Sequence, residues 1–238
     1  MIDVRAFDSL GAFRTDWLNA KHHFSFGQYH DPRRMGWGRL RVWNDDEIQP
    51  RTGFPPHPHQ EMEIITYVRE GAITHEDSLG NKGRTEAGDV QVMSAGTGIR
   101  HAEYNMEDAL TRIFQIWILP DARGGEPAWG AREFPRGERS GEFVVLASGR
   151  QGDGDALPIR ADARVLGATV KAGETARYPL EAGRHAYLGL AAGAVEVNGV
   201  AVHARDGAAI KDVDTIAVTA SDDAELVLVD TQQHDAVA

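Results

Sequence analysis

Apolar residues in this chain come in short runs rich in Val, Ile and Thr. Gly, Asn, Asp or Pro breaks them roughly every eight to twelve residues. No window holds a helical period over several turns, so the pattern predicts an all-β sandwich or barrel. First-half strands are expected at Arg39–Trp43, Glu61–Arg69, Ala72–Glu76, Val90–Ser94, Arg100–Tyr104 and Leu110–Leu119. TRIFQIWIL is apolar at nearly every position, as a strand covered on both faces reads, and Pro120 ends it. Asp16–Ala20 is the one segment read as a possible short helix.

The stretch DARGGEPAWGAREFPRGERSGE is polar and rich in Gly and Pro, and reads as a connection between two halves. It places a domain boundary between residues 130 and 131. Second-half strands are expected at Phe143–Ala147, Val165–Lys171, Ala186–Ala191, Ala194–Val197, Val200–His203, Ala208–Lys211, Thr215–Thr219 and Leu226–Asp230, with a hairpin at Asn198-Gly199. The halves resemble each other. REGAIT (69–74) pairs with AAGAVE (191–196), and EAGDVQVM (86–93) with RDGAAIKD (205–212). Two copies of one β-barrel unit explain this order.

The chemistry gathers between Gly53 and Asn105. His57 with His59, and His101 with Glu103, are spaced i, i+2, so on strands each pair points to one face. Three imidazoles and a carboxylate can hold a transition metal and leave positions open. Glu61 and Glu63 share the parity of His57 and His59. Glu63 is a rival carboxylate ligand, or a residue orienting an imidazole from behind. His75 can line the site or hydrogen-bond a ligand. His22, His23 and His30 read as part of an aromatic-rich edge, and His185, His203 and His234 have no partner pattern. Counted from Gly193 and Gly207, the ligand positions fall on Pro179, Glu181, Ala220 and Asp222, so a metal site is expected in the first half only.

Composition narrows the classes. The 238 residues carry a formal net charge of −11 and no cysteine, which excludes disulfides, thiolate ligands and a Cys nucleophile. The acidic balance argues against direct nucleic-acid binding. No apolar run is long enough to span a bilayer, and the first residues do not read as a signal peptide, so a cytoplasmic protein is expected.

H-x-H-x3-E, a glycine-led strand, G-x5-S-x-G and H-x3-N together resemble the two cupin motifs. Ser94 stands where proline is usual, and two extra residues precede His101. Those departures, with HFSFGQYHDP, LRVWNDD, GFPPHPHQEMEIITYV, HEDSLGN and QIWILP, resemble the pirin family over about Lys21–Pro135. The resemblance implies a bicupin of two double-stranded β-helix (jelly-roll) barrels, residues 1–130 holding a metal and 131–238 lacking a metal site. It implies His57, His59, His101 and Glu103 as ligands, and puts Glu63 at a non-ligand position. The implied metal is one divalent ion per chain, usually iron, with Zn, Cu, Ni, Co or Mn accepted. The implied activity is that of a quercetin 2,3-dioxygenase acting on a flavonol and O2, with Glu103, or a carboxylate beside it, as base; strand parity points Phe54, His75 and Gln115 into the pocket. The alternative it implies is a non-catalytic, metal- or redox-responsive regulator with a protein partner. A monomer is expected.

Overall fold

The computed structural model describes residues 1–134 and 136–234. Among them only two single-turn 3-10 helices, Phe7–Ser9 and Arg136–Arg139, interrupt a β architecture. Among the described residues no helix is long and apolar enough to cross a membrane. The first strands are β1 (Ile2–Arg5), β2 (Gly11–Arg14), β3 (Leu18–His22), β4 (Leu40–Ile48), β5 (Thr52–His59), β6 (Glu63–Glu70), β7 (Ala72–Asp77), β8 (Lys82–Glu86), β9 (Val90–Ser94), β10 (Ile99–Asn105), β11 (Thr111–Ile118) and β12 (Ala128–Arg132). Then follow β13 (Val144–Ser148), β14 (Leu157–Pro158), β15 (Ala163–Val170), β16 (Thr175–Pro179), β17 (Arg184–Ala192), β18 (Ala194–Val197), β19 (Val200–His203), β20 (Gly207–Lys211), β21 (Thr215–Ala220) and β22 (Ala224–Gln232).

The repeat read from the sequence is a repeat of topology. A seven-stranded sheet β12-β9-β6-β11-β4-β3-β2 faces the four-stranded sheet β5-β10-β7-β8. The second half repeats this with β1-β20-β17-β22-β15-β13-β14 and β16-β21-β18-β19. The expected boundary at 130/131 falls inside β12, which pairs with β9, while β1 pairs with β20 of the second half. Each seven-stranded sheet thus gains an outer strand from beyond its own repeat.

The two large sheets pack face to face. Trp43, Ile65, Tyr67, Phe114 and Ile116 from one side meet Val165, Tyr187, Ala209, Val227 and Val229 from the other in a single buried cluster. That explains the doubly apolar β11. Phe114, Ile116 and Ile118 face the second half, while Ile113 and Trp117 pack in clusters of the first barrel. At Asn198-Gly199 both residues have positive φ, 46° and 82°, as the hairpin signal requires.

Two sequence expectations give way. Asp16–Ala20 is not helical: Leu18 and Ala20 are buried in alternation with Asn19 and Lys21, and β3 pairs with β4. A half-buried, period-two surface was short enough to pass for a helical turn. The strand expected from Glu61 starts at Glu63, because Glu61 has φ 51° and breaks the chain path after β5.

Candidate metal centre

β5 carries Pro55, Pro56 and Pro58 and lies at the edge of its sheet, the place where a strand can lack N–H donors. Its inner edge pairs with β10, setting His57 opposite His101. The register then shifts: Glu103 faces Phe54, so Pro55 and Pro56 together oppose Ala102 as a bulge. The bulge brings Phe54 alongside His57. Gly53 permits the close approach, since a Cβ there would lie 2.3 Å from the Glu103 carbonyl oxygen.

His57, His59 and His101 converge, with one ring nitrogen of each within 4.8 Å of the others. His57 Nδ1 lies 2.8 Å from the Pro55 carbonyl oxygen, which can only accept, so Nδ1 carries the proton and Nε2 the lone pair. His101 is set from behind. His75 Nε2 donates to an Asp77 carboxylate oxygen at 3.0 Å, leaving its Nδ1 to accept from His101 Nδ1 at 3.5 Å. His101 Nε2 therefore also presents a lone pair, 3.1 Å from that of His57. Two facing lone pairs repel unless a cation lies between them. A shared proton is disfavoured at neutral pH, because burial holds His101 at about 4 against the opposing pull of Glu103, and burial with the neighbouring imidazoles holds His59 at about 4. The donor set fits a transition-metal ion.

Glu103 stands beside the three imidazoles, two residues along β10 from His101. Its Oε1 accepts from Thr66 Oγ1 at 2.9 Å and Gln91 Nε2 at 2.6 Å, and its Oε2 from Gln115 Nε2 at 2.8 Å. Burial raises its pKa, but the neighbouring His101 imidazole and the Gln115 and Thr66 donors outweigh that and lower it, so the carboxylate is ionised. Its partners form a row across five strands of the facing sheet. His22 pairs with Asn44, Asn44 with Gln115, Gln115 with Thr66, and Thr66 with Gln91. Apolar clusters flank this polar row, Leu18, Ile48, Val68 and Ile113 in one and Ile64, Met93 and Ile99 in the other. In the second half, Leu188 precedes Gly193 as Thr66 precedes Gly71, and its row is Val145, Leu166, Leu228, Leu188 and Ala208, apolar throughout.

A cavity of about 750 Å³ opens onto the imidazoles, walled by Phe13, Phe26, Tyr29, Phe54 and Trp117. Phe54 and Gln115 line it; His75 does not, being buried behind His101 and stacked on Trp129 at 4.8 Å. Glu63 does not reach an imidazole. It lies on the side of β6 shared with Ile65 and Tyr67, accepts from Ser94 Oγ at 2.5 Å, and is pushed up by burial. The turn at Glu61 defeats the parity that linked it to His57. Asp77, Thr66, Gln91, Asp46 and His22 were not read as site residues. Thr66 and Gln91 were signalled by a polar residue within an apolar strand, while His22 and Asp46 lay in the polar runs KHH and NDDE and Asp77 in the HEDSLGN turn.

Residues 3–118 match the family model described as Pirin, and residues 145–231 the one described as Quercetinase C-terminal cupin domain. A pirin-like protein of Caulobacter vibrioides is 69% identical over 230 residues, spanning 97% of this chain and 99% of that protein. The chain belongs to the pirin family. Another relative of this pirin, a quercetin 2,3-dioxygenase of Escherichia coli, is 38% identical and spans 97% of this chain and 98% of that protein. The bacterial pirin YhhW of Escherichia coli, solved in complex with nickel(II), superposes on this pirin with a TM-score of 0.92 at 38% identity, covering 98% of this chain and all of that one (100%). The two-barrel cupin architecture expected from the sequence is therefore the architecture found.

Proposed function

We propose that this pirin is a metal-dependent dioxygenase that opens the central ring of a flavonol such as quercetin, with both atoms of O2 entering the product and one ring carbon leaving as carbon monoxide. The observation that carries the reading is the pair of imidazole lone pairs facing each other at 3.1 Å at the end of an aromatic-walled cavity. A volume of about 750 Å³ is in the range that encloses a three-ring ligand. His57, His59, His101 and Glu103 are the proposed ligands, and iron is the proposed metal, since imidazole with carboxylate suits it. Bound there, the ion would supply Lewis acidity toward the flavonol 3-oxygen and a redox-active partner for O2.

The chain's own residues do the rest. Glu103 accepts the 3-hydroxyl proton on a carboxylate oxygen, and the donors Thr66, Gln91 and Gln115 hold that carboxylate in place. Phe26, Phe54 and Trp117 pack against the flat rings and keep water from the reacting carbons. The test is oxygen uptake on adding quercetin to protein loaded in turn with iron, nickel, copper, cobalt and manganese. Uptake with carbon monoxide release, lost in His101→Ala, supports the enzyme. No uptake with any metal rejects it in favour of a metal-responsive binding protein.

A further inference from the structure

Among the described residues, three cavity-lining side chains each leave a buried atom without a partner, Asp46 Oδ1, Gln115 Oε1 and Trp117 Nε1, and the two acceptors of the three belong to neighbouring residues. Native structures leave few such atoms, and each asks for a reason. Gln115 cannot turn to satisfy its carbonyl, because its Nε2 is committed to Glu103. Asp46 is 2% exposed and sits one layer from the polar row, opposite Ala20 and Ile113 in the apolar part of the barrel. Burial, and after it the charges of Asp45 and Glu103, push its pKa well above the usual range, so it stays neutral and has an O–H to give. Asn44 pairs with Gln115, which makes Asp46 and Gln115 diagonal neighbours on one face, about 7–8 Å apart and somewhat closer at Cβ. A single small group can reach both side chains.

Resting on the flavonol reading above, we propose that Asp46 and Gln115 form a hydroxyl-recognition subsite that makes the pocket selective for polyhydroxylated aromatics. A phenolic hydroxyl suits the pair in both directions: it donates to Gln115 Oε1 and accepts from the Asp46 acid. The selected substrates carry a second hydroxyl besides the one presented to the imidazole cluster. A site built to bond a hydroxyl rejects an analogue without it, because the analogue leaves the buried groups unpaired.

The test is equilibrium binding of quercetin and of 3-hydroxyflavone, which lacks the additional hydroxyls, to the nickel-loaded protein under argon. The wild type should favour quercetin by about tenfold, the scale of one or two neutral hydrogen bonds. Asp46→Ala should bring the ratio near unity by weakening quercetin alone. Asp46→Asn, which keeps a neutral donor and acceptor, should retain most of the preference. Thermal denaturation checks that both variants fold. Equal affinities in the wild type, or a preference untouched by Asp46→Ala, overturn the subsite and leave the flavonol reading standing. If neither flavonol binds, that reading fails and the subsite with it.

Discussion

The Nδ1 atoms of His75 and His101 face each other at 3.5 Å, and the Asp77 carboxylate on the far side of His75 decides which of them holds the proton. Because Asp77 takes the His75 Nε2–H, His101 is left with its lone pair turned to the cluster. Asp77→Asn or His75→Phe should therefore weaken metal binding about 10–100-fold with no ligand removed. Competition titration against a chelator reads this directly. Unchanged affinity in both variants would show that His101 needs no such support.

Glu103 separates holding a metal from holding the barrel together. Three donors converge on its oxygens. In Glu103→Gln one of those oxygens becomes an amide facing a donor, so the metal-free protein should lose about 1–3 kcal/mol. Urea unfolding with and without metal measures both effects. A variant as stable as wild type without metal would mean the three donors find other partners.

Glu63→Gln should keep wild-type metal content. Glu63 bonds Ser94 on the barrel's outer side and its carboxyl is already pushed toward the neutral form by burial, which Gln imitates. Elemental analysis showing lost metal would return Glu63 to the ligand set.

The imidazoles also predict an acid dependence. His59 and His101 sit at about 4, below the ordinary 6.5. Between those values the unfolded chain binds more protons than the folded one, so metal-free stability is complete above 6.5 and falls as the pH drops toward about 4. Asp46 and Glu63, raised by burial, push the other way. Comparing wild type with His59→Asn isolates the imidazole. The stability gap between them should change between pH 7.5 and 5, and a constant gap would refute the assignment.

The two i, i+2 pairs were legible because that spacing survives intact on β5 and β10, and the repeat was legible because Gly71 and Gly193 mark the same turn; the turn at Gly88 is made by Arg205 in the second half, where Gly207 opens β20 as Val90 opens β9. The polar row was not. Thr66, Gln91 and Gln115 each look like a blemish in a separate apolar strand, His22 and Asn44 are hidden in the polar runs KHH and NDDE, and only strand register aligns the five. β5 itself escaped the expected strands because its three prolines argue against a strand unless it is known to be an edge. Glu63 was misread because one residue at φ 51° resets the alternation.

β1 closes the second large sheet by pairing Ile2 with Ile210 and Arg5 with Gly207. During synthesis β1 is made long before β20, so it stays unpaired while the first barrel closes and docks only once the second barrel has been made. Until then the edge of β20 stays bare, an adhesive surface that a truncated or blocked amino terminus would leave open to other chains.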